Sequence, residues 1–261
     1  MNIKSILSAM ALVLVFGVDA LAADNSTQRA VVQYDTITVM TYNVHNCKAM
    51  SGEFNIRKIA EVINRYNPDI VAVEELDSMT TRHTKYVLGE LAALTDLNPF
   101  YCPTIDYAGG KYGIGLLTRR MPLFVPKYPL ADSAEPRGVI VAEYDNFVMG
   151  VTHLGLGKTD RLRQVDFLRG LAQVYVKPFI IAGDFNFHPD SEAFAELAKT
   201  FSPLTDTTVC TFPANAPDET IDYIMLTYGA DYQVLSREVI DEPNASDHRP
   251  VVVTLAIARR K

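Results

Sequence analysis

Six short stretches of this chain carry residues able to do chemistry, and each sits where an apolar run begins or ends. Asn43 follows the run 37–42, and Glu74 and Glu75 follow 70–73. His153 follows 147–152. Asp184, with Asn186 two positions on, follows 179–183. Toward the C-terminus the order inverts, with Asp222 preceding 223–226 and Asp247-His248 preceding 251–257. Oxygen donors at this density suit Mg²⁺ or Ca²⁺, and an imidazole oriented by a carboxylate can move a proton on or off water. No Ser or Cys nucleophile is required. Taken singly, each residue has a plainer reading: an Asp after a strand is commonly a turn residue or cap, and a lone His is commonly a packed one. Their joint placement at run ends sets them apart.

The elements that must position these residues alternate between two hydrophobic periods. Runs at 37–42, 70–73, 114–117, 139–142, 147–151, 179–182, 221–226, 232–239 and 251–257 read as strands. Residues 56–66 place Ile56, Ile59, Ala60, Val62 and Ile63 at helical spacing, and Pro68 closes that helix. Further helices are expected at 86–94, from a cap at Thr159 or Asp160 to about Val174, and at 192–198. In a mixed sheet, antiparallel strands start beside the ends of their neighbours. All six groups can therefore collect at one edge of the core.

With 261 residues, 48% hydrophobic and 21% charged, the composition is that of a globular protein with ample chain for a core. No repeat or composition break follows residue 30, so one domain of mixed sheets covered by helices is the economical reading. A net charge of −7 excludes a generic polycation that holds nucleic acid by bulk charge. Three cysteines and no CxxC pair exclude a disulfide framework and a zinc knuckle. Residues 1–22 read as an export signal: Lys4, an apolar run over 6–18, and Ala20-Leu21-Ala22 as the cleavage site. Asp19 stops that run short of a membrane span. A soluble, monomeric protein that is secreted or periplasmic is expected, with a polar lead at 23–35. Cys102 and Cys210 are available for pairing there.

The segments Thr41-Tyr42-Asn43-Val44-His45, Asp69 to Leu76, Gly183-Asp184-Phe185-Asn186, Ile221-Asp222-Tyr223-Ile224 and Ser246-Asp247-His248-Arg249-Pro250 together resemble the endonuclease/exonuclease/phosphatase superfamily. Tyr112 to Arg119 and Val151-Thr152-His153-Leu154 look like its intermediate strands, so the likeness covers nearly all of 36–258. It implies an α/β fold, the DNase I-like four-layer sandwich of two packed mixed β-sheets flanked by helices. It also implies a metal-dependent phosphoesterase working through activated water, with Mg²⁺ as cofactor and Mn²⁺ or Ca²⁺ as substitutes. Carried over position by position, Glu75 is the principal metal ligand, with Asn43 beside it and Asp247 adjacent. Asp184 and Asn186 position the water and the scissile phosphate. His153 bonds a phosphate oxygen, and His248 contacts the phosphate with Asp222 as its carboxylate partner.

Substrate identity is less determined, because the shared residues address the phosphate and not what is attached to it. An endonuclease acting on DNA or RNA is the favoured reading. A phospholipid or inositol phosphate is the alternative, and a non-catalytic binding protein on the same fold is the alternative of another class. Arg82 and Arg119 are the candidate substrate contacts, among scattered cations that include Lys111, Arg120, Arg137, Arg161 and Arg163. The loop at 121–126 is a candidate lipid contact. Strand alternation predicts that only one of Glu74 and Glu75 faces the metal, and the resemblance selects Glu75. Of five histidines, only His153 and His248 are expected to act on phosphate. His45 and His188 follow metal-site motifs, and His83 is expected on the surface.

Overall fold

The computed structural model describes residues 32–259; the expected export signal at 1–22 and most of the polar lead lie outside them. The described chain is built from twelve strands and four α-helices. In chain order they are β1 (Tyr34–Asn43), α1 (Ile56–Tyr66), β2 (Ile70–Ser78), α2 (Val87–Thr95), β3 (Asn98–Tyr107), β4 (Gly110–Thr118), β5 (Lys127–Leu130) and β6 (Arg137–Glu143). They continue as β7 (Val148–His153), α3 (Lys158–Val174), β8 (Phe179–Asp184), α4 (Glu192–Leu197), β9 (Phe201–Pro203), β10 (Asp222–Thr227), β11 (Tyr232–Val239) and β12 (Val251–Ala258).

Two six-stranded mixed sheets result, ordered β11-β12-β1-β2-β4-β3 and β5-β6-β7-β8-β10-β9. Each has a parallel pair at its centre, β1 with β2 and β7 with β8, whose members are joined through a helix. Every other pairing is antiparallel. The expected fold class is what the chain adopts.

Period-two alternation explains the layers. Ile37 and Val39 of β1, Ile70 and Ala72 of β2, Met149 and Val151 of β7, Ile180 and Ala182 of β8, and Ile224 and Leu226 of β10 meet between the sheets. The intervening residues face outward. Met40, Tyr42, Val71 and Val73 pack beneath α1 and α2. Val148, Phe179, Ile181, Tyr223 and Met225 pack beneath α3 and α4. Both faces of each sheet are thus buried, which is why the central runs read as continuously apolar.

Helix ends follow local chemistry. The Asn55 side chain accepts from Lys58 N to start α1, and Asn67, left-handed at φ +46, ends it one residue before Pro68. The expected cap at Thr159 or Asp160 is corrected: α3 starts earlier, after Gly157, without a side-chain cap. The Asp160 carboxylate accepts from Ser133 N and Oγ instead. Strands β3, β5 and β9 were not evident in the sequence. All three are sheet edges and all three carry prolines, which an edge tolerates and a central strand does not. The three cysteines are free thiols, with Cys102 packed between the sheets.

Candidate active site

Following each inner-facing row of side chains to one rim of the sandwich leads from the core to the motifs. Beyond Ile37 and Val39 come Thr41 and Asn43. Beyond Ala72 comes Glu74, beyond Val151 His153, beyond Ala182 Asp184, and Asp222 opposes Asp184 across the β8–β10 ladder. The same alternation that fills the core therefore delivers polar groups to its end. They open onto a cavity of about 460 Å³ lined by Glu75, Tyr112, Glu135, Arg137, His153, Leu156, Asp184, Asn186, Phe212, Glu219, Ile221, Asp247 and His248.

Asp184 is the hub. Its Oδ2 lies 3.0 Å from Asn43 Nδ2, 3.4 Å from His153 Nε2 and 3.7 Å from His248 Nε2. Its Oδ1 accepts from Asn186 N at 2.9 Å, with Asn186 left-handed at φ +53. Gly183 is required before it, since a Cβ there would stand 1.9 Å from Thr152 O. Burial first, and then the charge of Asp222, push the Asp184 carboxyl up to about 7.

The two imidazoles differ in charge. His248 Nδ1 sits 3.0 and 3.2 Å from the Asp222 carboxylate oxygens, and Thr211 Oγ1 donates to the same carboxylate at 2.6 Å. Burial alone would hold His248 down, but Asp222 and then Asp184 raise it to about 10. As an imidazolium it has no acceptor for the Asn43 amide 3.4 Å away, so its Nε2–H serves Asp184. His153 is the opposite case. Burial, then the charges of Arg137 and His248, hold it well below the ordinary histidine range. Arg137 Nη1 can only donate, so His153 Nδ1 accepts at 3.2 Å, and the ring proton sits on Nε2, facing Asp184.

At Glu74 and Glu75 the alternation argument is corrected, although of the two only Glu75 lines the cavity. Between Val73 and Leu76 the β2–β4 register slips, with two residues of β2 opposing one of β4, and Glu75 takes φ +63. This β-bulge suspends the alternation, so both carboxyls turn to the same rim. Glu74 is fully buried and accepts from Thr41 Oγ1 at 3.2 Å. Burial, then the charges of Asp222 and Asp184, raise it well above the carboxylate range. Glu75 stands at the cavity wall with its Oε1 3.2 Å from Asn43 Nδ2, and its negative charge adds to burial in raising the Tyr112 phenol.

Donor chemistry in the cavity fits a hard divalent cation. Glu75 enters no ion pair among the described residues, and Asp247 is paired with His45 Nδ1 at 3.5 Å on one oxygen and accepts from Ser246 Oγ at 3.3 Å on the other. One or two carboxylates plus water and substrate oxygens are what Mg²⁺ takes. Asn43 lies beside Glu75 as expected: its Oδ1 accepts from His45 N at 3.0 Å, and its Nδ2 ties Glu75 to Asp184. Asp184, Asp222 and His248 also lie within 4.8 Å of one another. The close Asp222–His248 pairing makes that group a proton-handling chain in preference to a cation cage.

The expected cations are not brought together. Arg119 bonds Asn67 Oδ1 at 2.7 Å beside Asp69, at the start of β2 and so at the opposite rim, which removes it as a contact at this cavity. Arg82 is closer but engaged, bidentate on Asp77 at 2.6 and 2.9 Å with its guanidinium 4.5 Å above Tyr107. Arg137 is the guanidinium in the cavity wall, held 3.0 Å from Glu135. His45 and His188 are paired with Asp247 and Glu219 at the margin. His83, expected on the surface, is buried against Phe54. Tyr112, Thr211 and Phe212 were missed. Tyr112 shares the inner-face register of Ile114 and Leu116, and that phase could have revealed it. Thr211 and Phe212 are loop residues with no periodic signal.

The doubly layered sandwich recurs among known proteins. The endonuclease/exonuclease/phosphatase family model matches residues 40–248, and the chain belongs to that family. No curated protein matches it. Among solved structures, a family member from Bacteroides vulgatus is 18% identical with a TM-score of 0.71, covering 85% of this chain and 99% of that one. A mannosyl-6-phosphatase from Bacteroides thetaiotaomicron gives 18% identity and a TM-score of 0.64, with 84% and 99% covered. The human Nocturnin catalytic domain, solved with a bound sulfate anion, gives 19% and 0.65, with 86% and 97% covered. At such identities the likeness is one of fold.

Proposed function

We propose that this protein is an exported, divalent-metal-dependent phosphoesterase that hydrolyses its substrate with an activated water. The observation carrying this reading is Asp184 Oδ2, faced by Asn43, His153 Nε2 and His248 Nε2 over one cavity. A carboxyl near 7 is matched to taking a proton from water at neutral pH. The His153 Nε2–H, the His248 imidazolium and Arg137 are donors for phosphoryl oxygens, whose negative charge grows during attack. Asp222 holds His248 charged and in one orientation. A bound Mg²⁺ at the Glu75 wall would supply Lewis-acid stabilisation of the same oxygens.

For substrate, the mouth favours a compact molecule with one phosphoryl group. Glu135, Glu219 and Asp247 line it beside a single guanidinium, so a polyanion meets acid where it needs cations. Nucleic acid, favoured from sequence, keeps one supporting observation: the Arg82–Tyr107 stack just outside Tyr112, a surface on which a base can stack. One panel tests both readings. A sugar phosphate, a nucleotide, plasmid DNA, RNA, sphingomyelin and an inositol phosphate are each incubated with Mg²⁺ and with EDTA. Mg²⁺-dependent turnover of the small phosphoesters above the polymers supports the first reading, and the reverse order supports the second. No turnover of any substrate leaves the binding protein.

A further inference from the structure

The rim opposite the cavity is where the chain enters the fold and where an exposed apolar loop stands. Between β4 and β5, Met121, Leu123 and Phe124 are exposed by 65%, 64% and 64%. Their backbone is not loose: Leu123 N donates to Glu143 O, Glu143 N to Phe124 O and Val141 N to Pro126 O. A firmly held loop that turns its apolar side chains outward is unfavourable in water unless something covers it. Arg120 and Lys127, both exposed, flank it. Of the acids nearby, Asp35 is occupied by Arg259 and Glu143 by Lys177, leaving Asp145.

We propose that this loop docks on an anionic phospholipid bilayer and holds the enzyme with its cavity turned away from the membrane. Apolar tips between cations are what the headgroup boundary of such a bilayer accepts. Chain continuity points to the same occupant. Residues 1–31 join the fold at Val32, and Asp35, close behind, borders one hollow with Arg120, Met121 and Leu123. The apolar stretch 6–18 is separated from Val32 only by 19–31, a tether of at most about 45 Å. Until cleavage at 20–22, an export signal at 6–18 holds this rim within that reach of the membrane. β1 runs ten residues from here to Asn43, so the cavity opens roughly 30 Å from the docked surface. Substrate then comes from the aqueous side, and lipids of the docked bilayer are out of reach.

The chain contains no tryptophan, so a single introduced indole reports its own surroundings. In the full chain as exported by its host, Phe124→Trp is expected to shift its emission to the blue on adding phosphatidylglycerol vesicles, and to be quenched by brominated lipid. Leu156→Trp, at the cavity mouth, should keep its aqueous spectrum. Leu123→Asp with Phe124→Asp should lower vesicle partitioning by on the order of tenfold or more while the melting temperature holds. The proposal is overturned by an unmoved Phe124→Trp, or by a shift at Leu156→Trp instead. A Phe124→Trp shift without vesicles that grows with protein concentration also overturns it, since that marks a second copy as the occupant.

Discussion

The two ends of the inter-sheet layer are built from the same strands with the same alternation, and they do opposite things. At one end the inner positions are Ile37, Ile70, Met149, Ile180 and Leu226, all buried and apolar. At the other they are Asn43, Glu74, His153, Asp184 and Asp222, equally buried and polar. Equal burial has unequal consequences. An alkyl group gains from leaving water, whereas a carboxyl or imidazole loses hydration and must recover it from a partner or change its protonation. Both responses occur here: Asp184 and Glu74 are pushed up and His153 down, while His248 finds Asp222 and is held charged. The apolar end holds the fold together, and the polar end stores reactive protonation states.

Substitutions at the two ends should separate accordingly. The largest effect is expected for Glu75→Gln, which takes away the cavity-wall carboxylate that enters no ion pair among the described residues. Turnover falls to background at ordinary Mg²⁺ and returns in part with excess Mg²⁺ or Mn²⁺, as a metal titration of rates would show. Next comes His248→Ala, with a loss of about 10²–10⁴-fold in kcat and a melting temperature near wild type. A variant that unfolds instead would mean that the polar end is structural. At the apolar end, Ile180→Ala should cost about 2–5 kcal/mol in urea unfolding with kcat per folded molecule unchanged.

A smaller effect concerns pH and stability in the metal-free protein. The Asp184 carboxyl is raised to about 7 in the fold, above its ordinary value. Its contribution is therefore fully present below the unfolded-state pKa and is lost as pH rises through about 7. Asp184→Asn cannot titrate, so its melting temperature should exceed the wild type's by more at pH 8 than at pH 5. A gap that narrows toward pH 8 contradicts the desolvation argument. The smallest effect is expected for Glu74→Gln. Glu74 is already held in its neutral form by burial, and an amide replaces a protonated carboxyl nearly isosterically. Activity should stay within a few-fold of wild type, because indirect metal partners typically cost about 10–100-fold only when their bond is lost.

Much of this was legible without coordinates. Apolar runs ending in Asn43, His153 and Asp184 located the rim, because a strand buried on both faces announces itself by composition and its last inner position inherits the phase. Pro68 marked the end of α1 through local chemistry alone. Edge strands β3, β5 and β9 escaped because an edge carries little periodic burial, and Arg119 was misplaced because nothing local says which rim a cation reaches. The bulge at Glu74-Glu75 was invisible for a related reason: alternation argued that one of the two must turn away, and only pairing with β4 revealed the extra residue. The sequence by itself determined which polar groups end the central strands and along which strands they lie. Tertiary structure alone decided their protonation and partners, since Thr211 on Asp222, Arg137 on His153 and the burial of Asp184 arise from segments that meet only when the sheets close.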